Sequence, residues 1–154
     1  MRVAKAPLNV SARDRGFTIF LAGSIEMGAA PNWQERIERA LADYDGTILN
    51  PRRDDWDASW AQSIENPQFH EQVSWELDGL RDADLVVVYF APDTKSPITL
   101  LELGLLTNRC NKAIVCCPEG FWRKGNVDMV CQRYGIRQVP NLDALIAAAA
   151  RTIP

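Results

Sequence analysis

The stretch "DLVVVYF", residues 84–90, decides the fold. After its leading aspartate, no polar side chain interrupts the run. A strand with one wet face alternates apolar and polar residues, so an unbroken apolar run calls for a strand covered on both faces. Such strands belong to parallel sheets with a helical layer on either side. Outward from this centre, strand-like runs recur at "FTIFLA" (17–22), "TILN" (47–50), "KAIVCC" (112–117) and, more weakly, "IRQV" (136–139), with helix-like segments between them. This regular alternation of strand and helix predicts a doubly wound sheet.

Five such strands lead to an α/β, flavodoxin-like, three-layer αβα sandwich with strand order 2-1-3-4-5. It forms a single domain over residues 17–154 behind a loose N-terminal arm, residues 1–16. The first helix is punctuated clearly: Asn32 stands at the N-cap with Glu35 three residues on, Trp33, Ile37, Leu41 and Tyr44 share one face, and Gly46 closes the segment. In this strand order the topological switch falls between the first and third strands, and ligands gather beyond their carboxyl ends. The loops there are "AGSIEMGAAPN" (22–32) and "APDTKSPITLLE" (91–102).

Composition removes several classes of function. The chain has 154 residues, 47% hydrophobic and 24% charged, with a net charge of −3. It therefore offers no electrostatic reason to bind nucleic acid or an anionic membrane. No apolar stretch approaches the roughly 20 residues of a membrane span, and the basic start "MRVAKAPLNVSARDRG" lacks the apolar segment of a signal peptide, so a cytoplasmic location is expected. Four cysteines (Cys110, Cys116, Cys117, Cys131) without a C-x-x-C pair, and one histidine (His70), predict neither a metal site nor a cofactor. Cys116 and Cys117, inside the apolar run "KAIVCC", read as small buried hydrophobes in a reducing compartment. His70 reads as a surface residue.

One carboxylate is out of place. In "SPITLLELGLL" (96–106), Glu102 projects between Ile98 and Leu106 when residues are set at about 100° intervals, inside the apolar stripe. A buried carboxylate costs several kcal/mol unless it is paired, protonated or facing a cleft. The bland alternative pairs it with Arg109 or Lys112. In "FHEQVSWELDGLRDADL" (69–85), Phe69, Val73, Leu77 and Leu80 form the stripe, with Glu76 at its edge and Asp78 facing solvent. Two inward carboxylates with no histidine beside them fit glycosyl transfer best, in which one attacks an anomeric carbon and forms a sugar ester.

Together "FLAGSI", "NPRRDDWD", "WELDGLRDADLVVVYF" and "SPITLLELGLL" resemble the nucleoside 2-deoxyribosyltransferase family and its nucleotide-hydrolysing relatives, across most of residues 17–135. The resemblance implies exchange of the base on a 2′-deoxyribonucleoside through a glutamyl-sugar ester, with a small-molecule nucleoside or nucleotide and a free base as partners. It implies Glu102 as nucleophile, Glu76 as supporting carboxylate, and Gly23 and Ser24 lining the pocket. It further implies a homodimer or higher homo-oligomer, with a residue near Asn126, from "GNVDMV" (125–130), entering the neighbouring pocket. Transferases of the family often carry an aspartate where this chain has Ser96. Relatives that hydrolyse nucleoside monophosphates carry serine there, to contact phosphate, and the chain's end, "RTIP", lacks the aromatic residue that closes some family sites. The alternatives are thus a nucleoside 5′-monophosphate N-glycosidase and, from another class, a non-catalytic nucleotide sensor. Asn50, Arg52 and Arg53 in "NPRRDDWD" can meet a base edge or a phosphate, or form a solvated turn. Trp56, Trp60 and Trp122 can stack on a base or plug loops onto the core, and Asn126 is read as a helix cap.

Overall fold

The run at 84–90 forms the strand expected of it. In the computed structural model, which describes residues 1–8, 16–26, 29–53, 55, 57 and 59–154, six parallel strands build one sheet. They are β1 (Arg2–Lys5), β2 (Thr18–Gly23), β3 (Thr47–Asn50), β4 (Leu85–Tyr89), β5 (Ala113–Cys116) and β6 (Arg137–Val139), in spatial order β1-β3-β2-β4-β5-β6. β4 pairs with β2 on one side and β5 on the other, and Leu85 to Val88 are at most 2% exposed. The start of this central pair is pinned by Asp84, whose carboxylate accepts from the Thr18 amide (2.9 Å) and hydroxyl (2.8 Å).

The sheet therefore has six strands in the order 1-3-2-4-5-6, not five in the order 2-1-3-4-5. The difference is an added edge: residues 2–5, read as part of a loose arm, run parallel to β3 in the register Arg2↔Thr47 to Lys5↔Asn50. Arg2 and Val3 are exposed, so the segment has no apolar pattern by which to recognise it. Backbone pairing holds it, together with the N-terminal ammonium, which donates to the Leu41 carbonyl at 2.9 Å.

Among the described residues five α-helices cover the sheet: α1 (Trp33–Ala40), α2 (Pro67–Asp82), α3 (Pro97–Leu106), α4 (Lys124–Tyr134) and α5 (Leu142–Ala150). α1 and α5 pack Trp33, Ile37, Leu145 and Ala148 on Ile19, Leu21, Ile48, Val87 and Ile114. α2, α3 and α4 pack Leu80, Leu103, Leu106, Val127 and Cys131 on Phe20, Ala22, Val86, Val88 and Val115. Asn32, Asn66 and Asn141 each cap a helix by accepting from a backbone amide three residues on.

Three helix faces differ from expectation. α1 ends at Ala40, so Tyr44 lies beyond it and is 41% exposed, while Gly46 leads into β3. On α2 the buried residues are Gln72, Gly79 and Leu80, Glu76 is half-buried among them, and Leu77 is 45% exposed. The helix is rotated because Gly79 lies against the Phe20 ring, where a Cβ would come within 2.5 Å of it. On α3 the buried face is Thr99, Glu102, Leu103 and Leu106, whereas Ile98, Leu101 and Leu105 are more than half exposed. Glu102 thus belongs to the sheet-facing side, and much of the leucine run faces outward.

Candidate active site

The carboxyl ends of β2 and β4, with the loops that follow them, frame the crevice. Gly23 ends β2 with φ 157°, and a Cβ there would lie 2.4 Å from the Tyr89 carbonyl and 2.6 Å from the Trp33 ring. Glycine is the residue that lets this strand end so close to both. Next to it, Ser24 is fully buried, and its carbonyl accepts from the Trp33 indole at 2.9 Å.

Two carboxyl groups converge on this region from the helical layer formed by α2 and α3. Glu102 is 7% exposed, and among the described residues it has no hydrogen bond or ion pair. Arg109 and Lys112 are engaged elsewhere, donating to the carbonyls of Arg81 and Ala83. Burial, followed by the charge of Glu76, pushes the Glu102 carboxyl up to about 8. Glu76 is also raised by burial, an effect opposed by the Gln72 amide, which donates to its Oε1 at 2.7 Å. At neutral pH, therefore, the two carboxyls hold a proton between them, and the arrangement suits covalent and proton-transfer chemistry.

A ring of hydroxyls ties together the loops after β2 and β4. Ser24, Thr94 and Ser96, all buried, make three mutual O···O contacts of 2.9, 2.5 and 3.0 Å. Thr94 donates to the Ala91 carbonyl at 2.8 Å, and Ser24 accepts from the Ala91 amide at 2.9 Å. Once the Thr94 proton is so directed, two protons serve three contacts.

Beside the ring, Glu26 Oε1 accepts from the amides of Lys95 (2.9 Å) and Ser96 (2.6 Å) at the start of α3. The non-glycine residues with positive φ among those described are Glu26 (49°), Asp93 (60°) and Ser96 (46°), all in the two loops after β2 and β4. Strained backbone of this kind is held where the surroundings over-determine it.

The loop after β3 faces two ways. Asn50 donates to Glu38 on α1 (2.6 Å), while Arg52 donates to the carbonyls of Ala30 and Pro31 and to Gln34, bracing the β2–α1 loop and the start of α1. They line a polar cavity of about 240 Å³ with Lys5, Asn32, Glu35 and Glu38. Arg53 points differently: its side chain is 7% exposed, it pairs with Asp55, its guanidinium lies 5.2 Å from the Trp60 ring, and its Nη1 is buried without a hydrogen-bond partner.

Trp122, 47% exposed, donates to the Lys95 carbonyl, and both the Lys95 and Arg123 cations lie over its ring. Trp56 falls outside the described residues. Asn126 is exposed on the first turn of α4 and is not its cap, since the helix begins at Lys124 with Arg123 before it. His70 is exposed and Cys116, Cys117 and Cys131 are buried. Three polar residues at the site escaped the sequence reading: Glu26, Thr94 and Gln72. Only Gln72 left a signal, standing four residues before Glu76 and hence on the same helical face.

The chain is similar in fold to a conserved protein from Enterococcus faecalis V583, with a TM-score of 0.62 and 12% identity over 89% of this chain and 99% of that one. Comparison with curated proteins gives no match. Among the described residues no helix is long and apolar enough to cross a membrane. The family model described as nucleoside 2-deoxyribosyltransferase like matches residues 16–121, a span holding both carboxyls, the hydroxyl ring and the loops that frame them. The chain belongs to the nucleoside 2-deoxyribosyltransferase-like family.

Proposed function

We propose that the protein cleaves the N-glycosidic bond of a (deoxy)nucleoside and transfers the sugar to another base, with Glu102 as nucleophile and Glu76 as its proton partner. The observation that carries this reading is Glu102 itself, buried with no ion pair among the described residues and within the electrostatic reach of a second carboxyl, Glu76. In the empty site Glu102 holds the proton and Glu76 is the anion. On substrate binding the proton passes to Glu76, which leaves Glu102 ionised. Its oxygen bonds to C1′ as the C1′–N bond breaks. The electron pair leaves with the base nitrogen, which takes the proton from Glu76. A second base reverses these steps; water in its place completes hydrolysis.

Gly23 and Ser24 line the sugar or base side. Arg53 is the cation of the β3 loop with a free donor, while Asn50 and Arg52 shape the loop above it. The nucleotide-hydrolase reading rests on Ser96. Against it, the Ser96 hydroxyl is in contact with Ser24 and Thr94, and the Lys95 and Ser96 amides already hold the Glu26 carboxylate. The nucleoside is therefore the favoured substrate.

We further propose that the protein is a homo-oligomer. Its support is the row Ile98, Leu101 and Leu105, each more than half exposed on α3. Asn126 is assigned to the neighbouring subunit's pocket.

Trapping tests the chemistry. Incubation with a 2-fluoro-substituted nucleoside followed by peptide mass spectrometry is expected to find the sugar on the peptide containing Glu102. An adduct elsewhere, or turnover surviving in Glu102→Gln, overturns the assignment. In a mixture with a second free base, a new nucleoside marks transfer and free sugar marks hydrolysis.

A further inference from the structure

Gln72 has no place in the chemistry above, yet its side chain is tied to it. The residue is 3% exposed on the sheet-facing side of α2, and its Nε2 donates both hydrogens: one to the Pro51 carbonyl at 3.0 Å, the other to Glu76 Oε1 at 2.7 Å. Its Oε1 is buried with no partner. A buried amide normally satisfies its acceptor, so an orphan oxygen calls for a reason. Rotating the amide by half a turn would aim that oxygen at two acceptors, the Pro51 carbonyl and Glu76. The Pro51 carbonyl cannot donate, so it holds the amide in one orientation, with N–H permanently toward Glu76.

From this geometry we infer that Gln72 is a positioning residue that decides which of the two carboxyls carries the proton they hold between them. A fixed N–H donor stabilises the ionised form of the carboxyl it meets and leaves the other as the acid. Glu102 lacks any donor among the described residues, so the proton rests there. The sheet-side end of the clamp is a main-chain carbonyl just beyond β3. The position of the donor is therefore set by the fold and does not depend on substrate.

The charged and titratable surroundings of Glu76 are few among the described residues. Glu102 faces it from α3. On its own helix, Asp78 is paired with Arg81 at the surface, and Glu71 acts on Arg53 of the β3 loop. β2 and β4 contribute uncharged residues to this face. The inference rests on the proposed roles of Glu102 and Glu76 only for its catalytic meaning.

The test is a titration of Glu76 by carbon NMR of the intact protein in a Glu102→Gln background, where one carboxyl of the pair remains. Adding Gln72→Met, which keeps the length and removes the donor, is expected to raise the Glu76 pKa by about one unit. Adding Gln72→Lys, which restores a donor, is expected to bring it to or below the starting value. Equal Glu76 pKa values with and without Gln72→Met overturn the inference, as does a Gln72→Lys variant that behaves like the Gln72→Met one. Far-ultraviolet circular dichroism and the melting temperature check folding; if the Gln72→Met variant does not fold, the Gln72→Lys variant alone decides by the direction of its shift. With Glu102 intact, Gln72→Met is expected to lower kcat about tenfold with little change in KM and to displace the pH profile of base exchange. If no nucleoside is turned over by the wild type, the proposed function fails while the titration still decides the role of Gln72.

Discussion

Between about pH 4.5 and pH 8 the folded chain keeps a proton on Glu102 that the unfolded chain releases, because burial and the neighbouring Glu76 raise its pKa from the ordinary 4.5 to about 8. Stability therefore falls as pH rises through that window and levels off above it. Glu102→Gln removes the titration and keeps the shape. At pH 8 the variant is expected to be more stable than the wild type by on the order of 3 kcal/mol, and near pH 4.5 about equally stable, while base exchange is lost. Urea unfolding at the two pH values checks this; a variant less stable at both would mean that the carboxyl has a partner holding it in place. Glu26 gives a second residue-scale prediction. Glu26→Ala frees the Lys95 and Ser96 amides, and charge-assisted bonds of this kind contribute roughly 1.5–3 kcal/mol. The ratio of kcat/KM for a nucleoside 5′-monophosphate over the nucleoside is expected to rise about tenfold in competitive turnover, and an unchanged ratio would remove Glu26 from substrate choice.

At the scale of elements, α2 and α3 together place the two carboxyls, and α2 does so through a contact that its own amphipathic pattern does not show. α2 is rotated so that Gly79 sits on the Phe20 ring, turning Glu76 inward and Leu77 outward. In an exposed helix interior, Gly→Ala gains about 1 kcal/mol. Here the new methyl would lie 2.5 Å from Phe20. Gly79→Ala is therefore expected to destabilise by about 1–3 kcal/mol, through overpacking, and to lower kcat by moving Glu76. Denaturant unfolding and the base-exchange rate check both parts; a stabilised variant would show that α2 can lift off the sheet freely. For α3, Leu101→Glu is expected to leave the monomer fold intact and to shift the protein to a smaller species in light scattering, since Leu101 is 62% exposed at the centre of the proposed interface.

For the whole molecule, β1 closes one edge of the sheet far in sequence from the two carboxyls. Deleting residues 1–5 makes β3 an edge strand and removes the parallel pairing from Arg2↔Thr47 to Lys5↔Asn50. At about 0.5–1.5 kcal/mol per hydrogen bond, the loss is expected to be roughly 2–4 kcal/mol. Sugar trapping at Glu102 is expected to persist below the lowered melting temperature; loss of trapping in a still-folded protein would tie the edge to the site. Alternation of apolar runs with helical segments was enough, from the amino acids alone, to set a parallel sheet between helical layers, and a carboxylate within a leucine run was enough to single out Glu102. Both are local patterns, expressed at spacings of two to four residues. The edge strand, the rotation of α2, the turn of Asn50 and Arg52 toward α1 and the loop before it, the hydroxyl ring and the Gln72 clamp came only with tertiary structure. Each depends on backbone groups or on partners at least twelve residues apart, such as Asn50 with Glu38, Phe20 with Gly79 or Pro51 with Gln72, and no one-dimensional periodicity carries that information.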